Sequence, residues 1–293
     1  MPYFRPTALA LCAFALAVPV AAQEVNVYSY REPALIQPLM DGFTEQTGIA
    51  VNVAFLNKGM IERLRAEGRR SPADLVFTTD ISRLHSVVSA GLTQPVTEAN
   101  LTDNIPAAYR DPGNHWFGLT VRARVIYASK ARVKKGEVTS YEDLADPKWQ
   151  GRICTRSGTH SYMLALTAAY LHQHGEADTL NWLKAVKANL ARKPQGNDRS
   201  QAKAIFQGLC DVAIMNSYYY GNMKFGDKAD QKEWAQAIRL VFTNQSNRGN
   251  HMNISGGGVA KHAKNKAAAI AFLEFLTEEK AQHLYGEINF EYP

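Results

Sequence analysis

From residue 25 onward, short β-rich runs alternate with helical patterns, and that alternation limits the chain to a small set of folds. Val25-Asn-Val-Tyr28 reads as a strand, and residues 34–46 carry a helical pattern that Gly48 stops. Ile49–Phe55 is the next strand, followed by a helix over Met60–Glu67, the strand Asp74–Phe77 and a helix over Ile81–Ala90. A β-α-β-α rhythm in such short units predicts mainly parallel sheets covered by helices, because parallel neighbours need a crossover that a helix supplies. A second block begins near Arg124-Val-Ile-Tyr127. It holds a strand at Arg152–Thr155, helices over Tyr162–His172 and Thr179–Leu190, and a strand at Asp211–Met215. After Arg239–Phe242 come Gly256-Gly257-Gly258, read as a tight turn, and an apolar-striped helix over Lys266–Thr277.

The first 22 residues have a different character. Arg5 precedes an apolar run from Ala8 to Val18, and Val20-Ala21-Ala22 places small residues where signal peptidase cuts, so cleavage is expected after Ala22. The run is too short to span a bilayer. Removing these residues takes away Arg5 and no acid, leaving a net charge of about +5. The basic pairs Arg69-Arg70 and Lys134-Lys135 are isolated and lack interleaved aromatics, so no nucleic-acid footprint is expected. Cys154 and Cys210 are the two cysteines left, and in an oxidising compartment they form either a disulfide or two buried thiols. Two α/β blocks in an exported chain predict two lobes with a ligand cleft at the carboxyl ends of their strands. The expected division is 23–123 with 245–293 in the first lobe and 124–244 in the second, with hinge strands near 122–127 and 239–244.

Catalytic signatures are scarce. No Gly-x-Ser-x-Gly elbow, His-Glu-x-x-His pair or phosphate-binding loop occurs. His172 and His174 are two apart and leave a helix on different sides. The outlier is Ser217-Tyr218-Tyr219-Tyr220, directly after an apolar strand. Adjacent helical residues diverge by about 100°, so three consecutive tyrosines cannot share one buried stripe. Tyr162 follows another strand in the same block after a polar turn, Arg156–Ser161. Phenols from two strand ends that converge could hold a hard, highly charged cation, since such a cation stabilises phenolate, and three phenolates balance Fe³⁺. They could equally stack on a sugar or simply pack.

Six segments together resemble one family. They are Val25-Asn-Val-Tyr-Ser-Tyr-Arg31, Thr47-Gly-Ile-Ala-Val51, Ser71-Pro-Ala-Asp74, Leu119-Thr-Val-Arg-Ala-Arg124, Pro147-Lys-Trp-Gln-Gly-Arg152 and Asn216-Ser-Tyr-Tyr-Tyr220. The family is the periplasmic ferric-ion-binding proteins of bacterial iron ABC transporters, in the three-tyrosine, carbonate-dependent subgroup. The resemblance implies a two-lobed type II periplasmic binding protein that is not an enzyme. It further implies a monomer that captures Fe³⁺ and delivers it to an inner-membrane ABC permease with its ATPase. By motif, Tyr162, Tyr218 and Tyr219 match the metal ligands. Arg31 and Arg122 match arginines that hold carbonate or bicarbonate as a synergistic anion, with Ser157 and Gly158 as further donors.

The chain departs from relatives that take a ligand from the first lobe. Glu32 and Pro33 stand where those relatives place theirs, and Asp80 stands where some have a liganding acid, though it also reads as a helix cap. Glu32, Asp80 and Arg124 are the remaining candidates. The sequence stops at Glu291-Tyr-Pro293, where the family normally continues with more helix. Two alternatives stay open. One is a binder of a small organic or inorganic anion on the same fold, independent of metal. The other is an exported hydrolase with a tyrosine or Glu32 as base, for which no nucleophile–base spacing is recognisable.

Overall fold

The computed structural model describes residues 23–292, so the expected leader, residues 1–22, lies outside the described residues. The strands are β1 (Glu24–Ser29), β2 (Ala50–Phe55), β3 (Leu75–Thr78), β4 (Phe117–Ser129), β5 (Ile153–Cys154), β6 (Val212–Asn216), β7 (Ile238–Val241) and β8 (Met252–Val259). The helices are α1 (Pro33–Thr47), α2 (Met60–Glu67), α3 (Ile81–Ser89), α4 (Ala99–Asn104), α5 (Ser161–Ala188), α6 (Asp198–Phe206), α7 (Tyr218–Phe225), α8 (Ala229–Ala237), α9 (Lys266–Phe275) and α10 (Glu279–Leu284).

Local chemistry sets several of these boundaries. Pro33 opens α1, where its missing N–H has no partner to lose, and Gly48 ends the helix at φ 73°, a conformation open to glycine. The pattern predicted separate helices over 162–172 and 179–190, and α5 is indeed two helical segments that meet at Gly175, whose φ 78° and ψ 174° are not helical. Asn197 caps α6 through a reciprocal pair with Ser200.

The sheets are more mixed than the alternation implies. The first runs β2-β1-β3-β8-β4, with β1 parallel to β2 and β3, and β8 antiparallel to both β3 and β4. In the second, only β5 and β6 are parallel, while β4 runs antiparallel to β6 and β7. The cause is β4 itself. Its Phe117–Ala123 half pairs with β8 and its Arg124–Ser129 half pairs with β6 and β7, so the strands that face it run back against it. The changeover falls between Ala123 and Arg124, inside the expected 122–127 hinge. The second expected hinge strand, 239–244, is strand only as far as Val241. Residues 242–251 form the returning loop, in which Asn250 Nδ2 donates to Arg124 O at 2.8 Å.

Strand alternation builds a core on each face of both sheets. In the first, Val25, Val27, Leu75 and Phe77 meet α1 and α9, while Tyr28 and Val76 point to the opposite cluster with Met60 and Leu64. Phe43 lies 5.0 Å from Phe272 and 5.5 Å from Phe275, ring centre to ring centre, and each such buried ring contributes about 2–3 kcal/mol. In the second, Ile126, Ala128, Val212 and Ile214 face one cluster, and Val125, Tyr127, Ala213 and Met215 the other.

Gly256, Gly257 and Gly258 are residues of β8 rather than a turn. A Cβ at Gly256 would lie 2.2 Å from Phe117 O, and one at Gly258 would lie 2.3 Å from His115 O. The run exists because neighbouring backbone passes too close for any side chain. Cys154 and Cys210 form a disulfide with Cα atoms 5.8 Å apart, which settles the choice the sequence left open. Among the described residues no helix is long and apolar enough to cross a membrane.

Candidate metal centre

Both tyrosine segments begin where a strand of the second sheet gives way to a helix. β6 ends at Asn216, and the turn into α7 is pinned from several sides. Tyr127 Oη donates to Asn216 O at 2.8 Å, and Ser217 N donates to Ala123 O at 2.9 Å, at the changeover of β4. Tyr218 and Tyr219 are therefore the first two residues of α7, with ring centres 4.2 Å apart. Tyr162 is the second residue of α5. Its N–H donates to His160 Nδ1 at 3.2 Å, and the two rings meet edge to face at 4.7 Å. Burial and the neighbouring Arg156 push His160 down to about 4, so its imidazole is neutral near pH 7 and able to accept that hydrogen bond. All three tyrosines thus stand at helix amino termini, where the backbone dipoles favour negative charge.

Six of the expected residues line one cleft of about 210 Å³: Tyr162, Tyr218, Tyr219, Arg31, Arg122 and Glu32. The phenols sense one another. Burial raises Tyr218 well above the ordinary phenol value, and the charges of Tyr162 and Tyr219 raise it further, while Arg122 opposes them. Burial and then Tyr162 also raise Tyr219. Without a cation, then, these two phenols keep their protons at neutral pH. Guanidiniums surround the phenol rings: Arg122, Arg124 and Arg156 lie 5.7, 5.7 and 5.1 Å from the Tyr162 centroid, and Arg199 lies 4.8 Å from that of Tyr219.

Four candidates are not among the lining residues. Arg124 is buried behind the cleft, 2.5 Å from Asp198 and 3.0 Å from Asn216 Oδ1, because a buried guanidinium needs a carboxylate and finds one there. Asp80 is buried and caps α3, accepting from Ser82 N at 2.9 Å and from Asn253 Nδ2 at 2.9 Å. Ser157 and Gly158 sit in an exposed turn, where Ser157 Oγ pairs with Thr159 Oγ1 at 2.8 Å. Glu32 is exposed at the start of α1 and makes no side-chain cap bond, so it stands at the mouth of the cleft.

Three residues of the site escape sequence reasoning. Asp198 is wholly buried and binds Arg124, Arg156 and the N–H of Asn216, so it ties the turn before Tyr162 to the strand before Tyr218. Glu291 lines the cleft and pairs with Arg31 at 2.7 Å. Asn289 also lines it and donates to Leu35 O at 3.2 Å. Only Asp198 carries a local signal, the helix-start run Asn197-Asp-Arg-Ser200; Glu291 lies 260 residues from its partner. Among the described residues no group of three His, Cys, Asp or Glu side chains is placed to hold a metal.

Two sheets that share a crossing strand, with an aromatic and cationic cleft fed by both, define a two-lobed solute-binding architecture. The chain belongs to the bacterial extracellular solute-binding protein family, whose model matches residues 28–283. It is 42% identical over 276 residues to iron uptake protein A1 of Synechocystis, covering 94% of this chain and 77% of that one. It is 32% identical to an Fe(3+)-binding periplasmic protein of Serratia marcescens, covering 96% and 82%. Among solved structures, ferric iron-binding protein A of Mannheimia haemolytica in an open conformation superposes with a TM-score of 0.86 at 51% identity, covering 93% and 85%. A Trichodesmium protein in complex with iron and citrate gives 0.88 at 43%, covering 92% and 86%.

Proposed function

We propose that this chain is a periplasmic solute-binding protein that captures Fe³⁺ through Tyr162, Tyr218 and Tyr219. The observation that carries this reading is the meeting of three phenols and two buried guanidiniums, from separate chain segments, around one cleft. Three tyrosinates neutralise the ion, which offsets the cost of burying charge. Arg31 and Arg122 hold carbonate or bicarbonate beside it, since a guanidinium fork matches a planar oxyanion. The lobes divide at 23–123 with 245–293 and at 124–244. The protein acts as a monomer and passes its cargo to an inner-membrane ABC permease driven by its ATPase. Iron uptake by the Synechocystis relative and iron binding by the Serratia and Trichodesmium proteins support the cargo, and the Cys154–Cys210 disulfide supports an oxidising compartment.

A ferric titration of the metal-free protein in bicarbonate buffer tests the reading. A tyrosinate-to-iron absorption band in the visible range is expected, reduced in Tyr162→Phe and abolished in Tyr218→Phe/Tyr219→Phe. A colourless mixture would defeat it. The metal-independent anion binder has one observation in its favour, the donors on Arg122 that have no partner among the described residues. It gives no reason for the three phenols to converge.

A further inference from the structure

Tyr218 opens α7, and the residues three, four and seven further along share its face: Gly221, Asn222 and Phe225. Glycine is a poor helix former, so its place in the middle of α7 needs a reason. The reason is Phe290. A Cβ at Gly221 would lie 2.5 Å from Phe290 Cδ1, inside the space its ring fills. The same ring stacks on Phe225, with centroids 5.8 Å apart and planes 16° off parallel. Phe290 itself stands at φ 55° and ψ 30°, a left-handed conformation that a bulky side chain seldom takes. Its chain neighbours hold it there. Asn289 Nδ2 donates to Leu35 O at 3.2 Å, Glu291 pairs with Arg31 at 2.7 Å, and Tyr292 exchanges two backbone hydrogen bonds with Val121, each of 2.9 Å. These anchors belong to α1, the segment after β1 and the Phe117–Ala123 half of β4, all on the side of the first sheet. α7, by contrast, grows out of β6 in the second.

We propose that Phe290 is a positioning residue for the metal centre: a side chain carried by the first lobe and seated on α7, which holds Tyr218 and Tyr219 against the first-lobe wall of the cleft and sets how readily the lobes part. The inference deepens the ferric reading and rests on it for the cargo and for the division into lobes. Gly221 supplies the socket and Phe225 the platform, on the helix face that carries Tyr218 into the cleft. The seat is also one that can be left. Phe225 is 65% exposed, so parting the two rings wets little apolar surface that is not already wet. A contact of this kind biases the lobes toward closure without locking them, as a carrier that must release its cargo requires.

Spin labels on Glu45→Cys in α1 and Lys232→Cys in α8, both exposed positions, read the distance between the lobes in the full chain without iron. The wild-type labels should populate the distance of the structure, and Phe290→Ala should shift the closed-to-open ratio about fivefold toward longer distances, the worth of one aromatic pair. Phe290→Tyr keeps the ring and should restore the wild-type distribution. Gly221→Ala should open the lobes as Phe290→Ala does, because its methyl displaces the ring. In a Phe290→Ala background the same substitution should open them no further, and should raise stability as alanine does in any helix. Loss of the ferric band to excess EDTA is the second readout: Phe290→Ala should release iron about fivefold faster with the band itself unmoved. The inference is overturned if Phe290→Ala leaves the label distances at their wild-type values, or if Gly221→Ala widens them equally with and without the Phe290 ring. Phe290→Ala and its tyrosine rescue decide the matter where Gly221→Ala does not fold. Shifted distances in a protein that gives no ferric band would sink the metal reading alone, and a ferric band with unmoved distances would sink this inference alone.

Discussion

Asp198 and Arg124 form a buried ion pair, Oδ2 to Nη1 at 2.5 Å, at the point where the two tyrosine segments approach each other. The other Asp198 oxygen takes Arg156 Nη1 at 3.0 Å, and Oδ2 also accepts the N–H of Asn216 at 2.9 Å. One carboxylate therefore fixes the residue six before Tyr162 and the residue two before Tyr218. The two arginines it neutralises both lie beside the Tyr162 ring.

Replacing Asp198 by Asn strands two guanidiniums in the interior. Loss of a buried ion-pair partner costs about 3–5 kcal/mol. Chemical denaturation should show a loss of that size. Ferric affinity should fall more than in a surface variant of equal stability, because the phenols lose their common anchor. Wild-type stability in Asp198→Asn would remove this carboxylate from the account.

The phenols give the site a pH dependence of definite sign. Burial raises Tyr218 and Tyr219 above the ordinary value near 10, and the charge of Tyr162 adds to this. A raised folded value means that the iron-free protein keeps protons the unfolded chain gives up. That stabilising contribution is whole below about pH 10 and is lost as pH climbs through the folded values. Stability of the iron-free protein should therefore decline above about pH 10, less steeply in Tyr218→Phe/Tyr219→Phe. Ferric loading must expel the phenolic protons, so calorimetry near neutral pH should detect proton release, and affinity should fall on acidification. Loading without proton release would contradict phenolate ligation.

The disulfide spans 56 residues, from β5 to the residues just before β6. Closing a loop of that size lowers the unfolded chain's entropy by an amount worth about 4 kcal/mol. Cys154→Ser/Cys210→Ser should lose stability of that order yet keep the ferric band, since neither cysteine lines the cleft. Loss of the band in a variant that is still folded would tie the bridge to the site itself.

The sequence carried more of the fold than of its interior wiring. Apolar runs marked β1, β2, β3, β5 and β6 and the helices α1, α2, α3, α5 and α9, since buried strands and amphipathic helices leave patterns that repeat within a few residues, whereas the short or mostly polar α4, α6, α8 and α10 were not read. The direction of β6 and β7 against β4 was not legible, because it follows from one strand serving both sheets and not from any local run. Gly256–Gly258 misread for a related reason: the backbone of Phe117 and His115 that excludes a side chain there comes from a distant segment. At the site, motif and helical geometry pointed to Tyr162, Tyr218, Tyr219, Arg31 and Arg122. Arg124 shared the motif yet turned to Asp198, and Glu291 had no pattern to betray it. Buried polar pairing is settled by tertiary proximity, which residue spacing does not encode.

The most direct test is a crystal of the protein grown with ferric ion and bicarbonate, with anomalous data collected on either side of the iron absorption edge. A single anomalous peak is expected within bonding distance of the phenol oxygens of Tyr162, Tyr218 and Tyr219. A peak elsewhere, or three phenols that remain protonated and unliganded at full iron occupancy, would contradict the account.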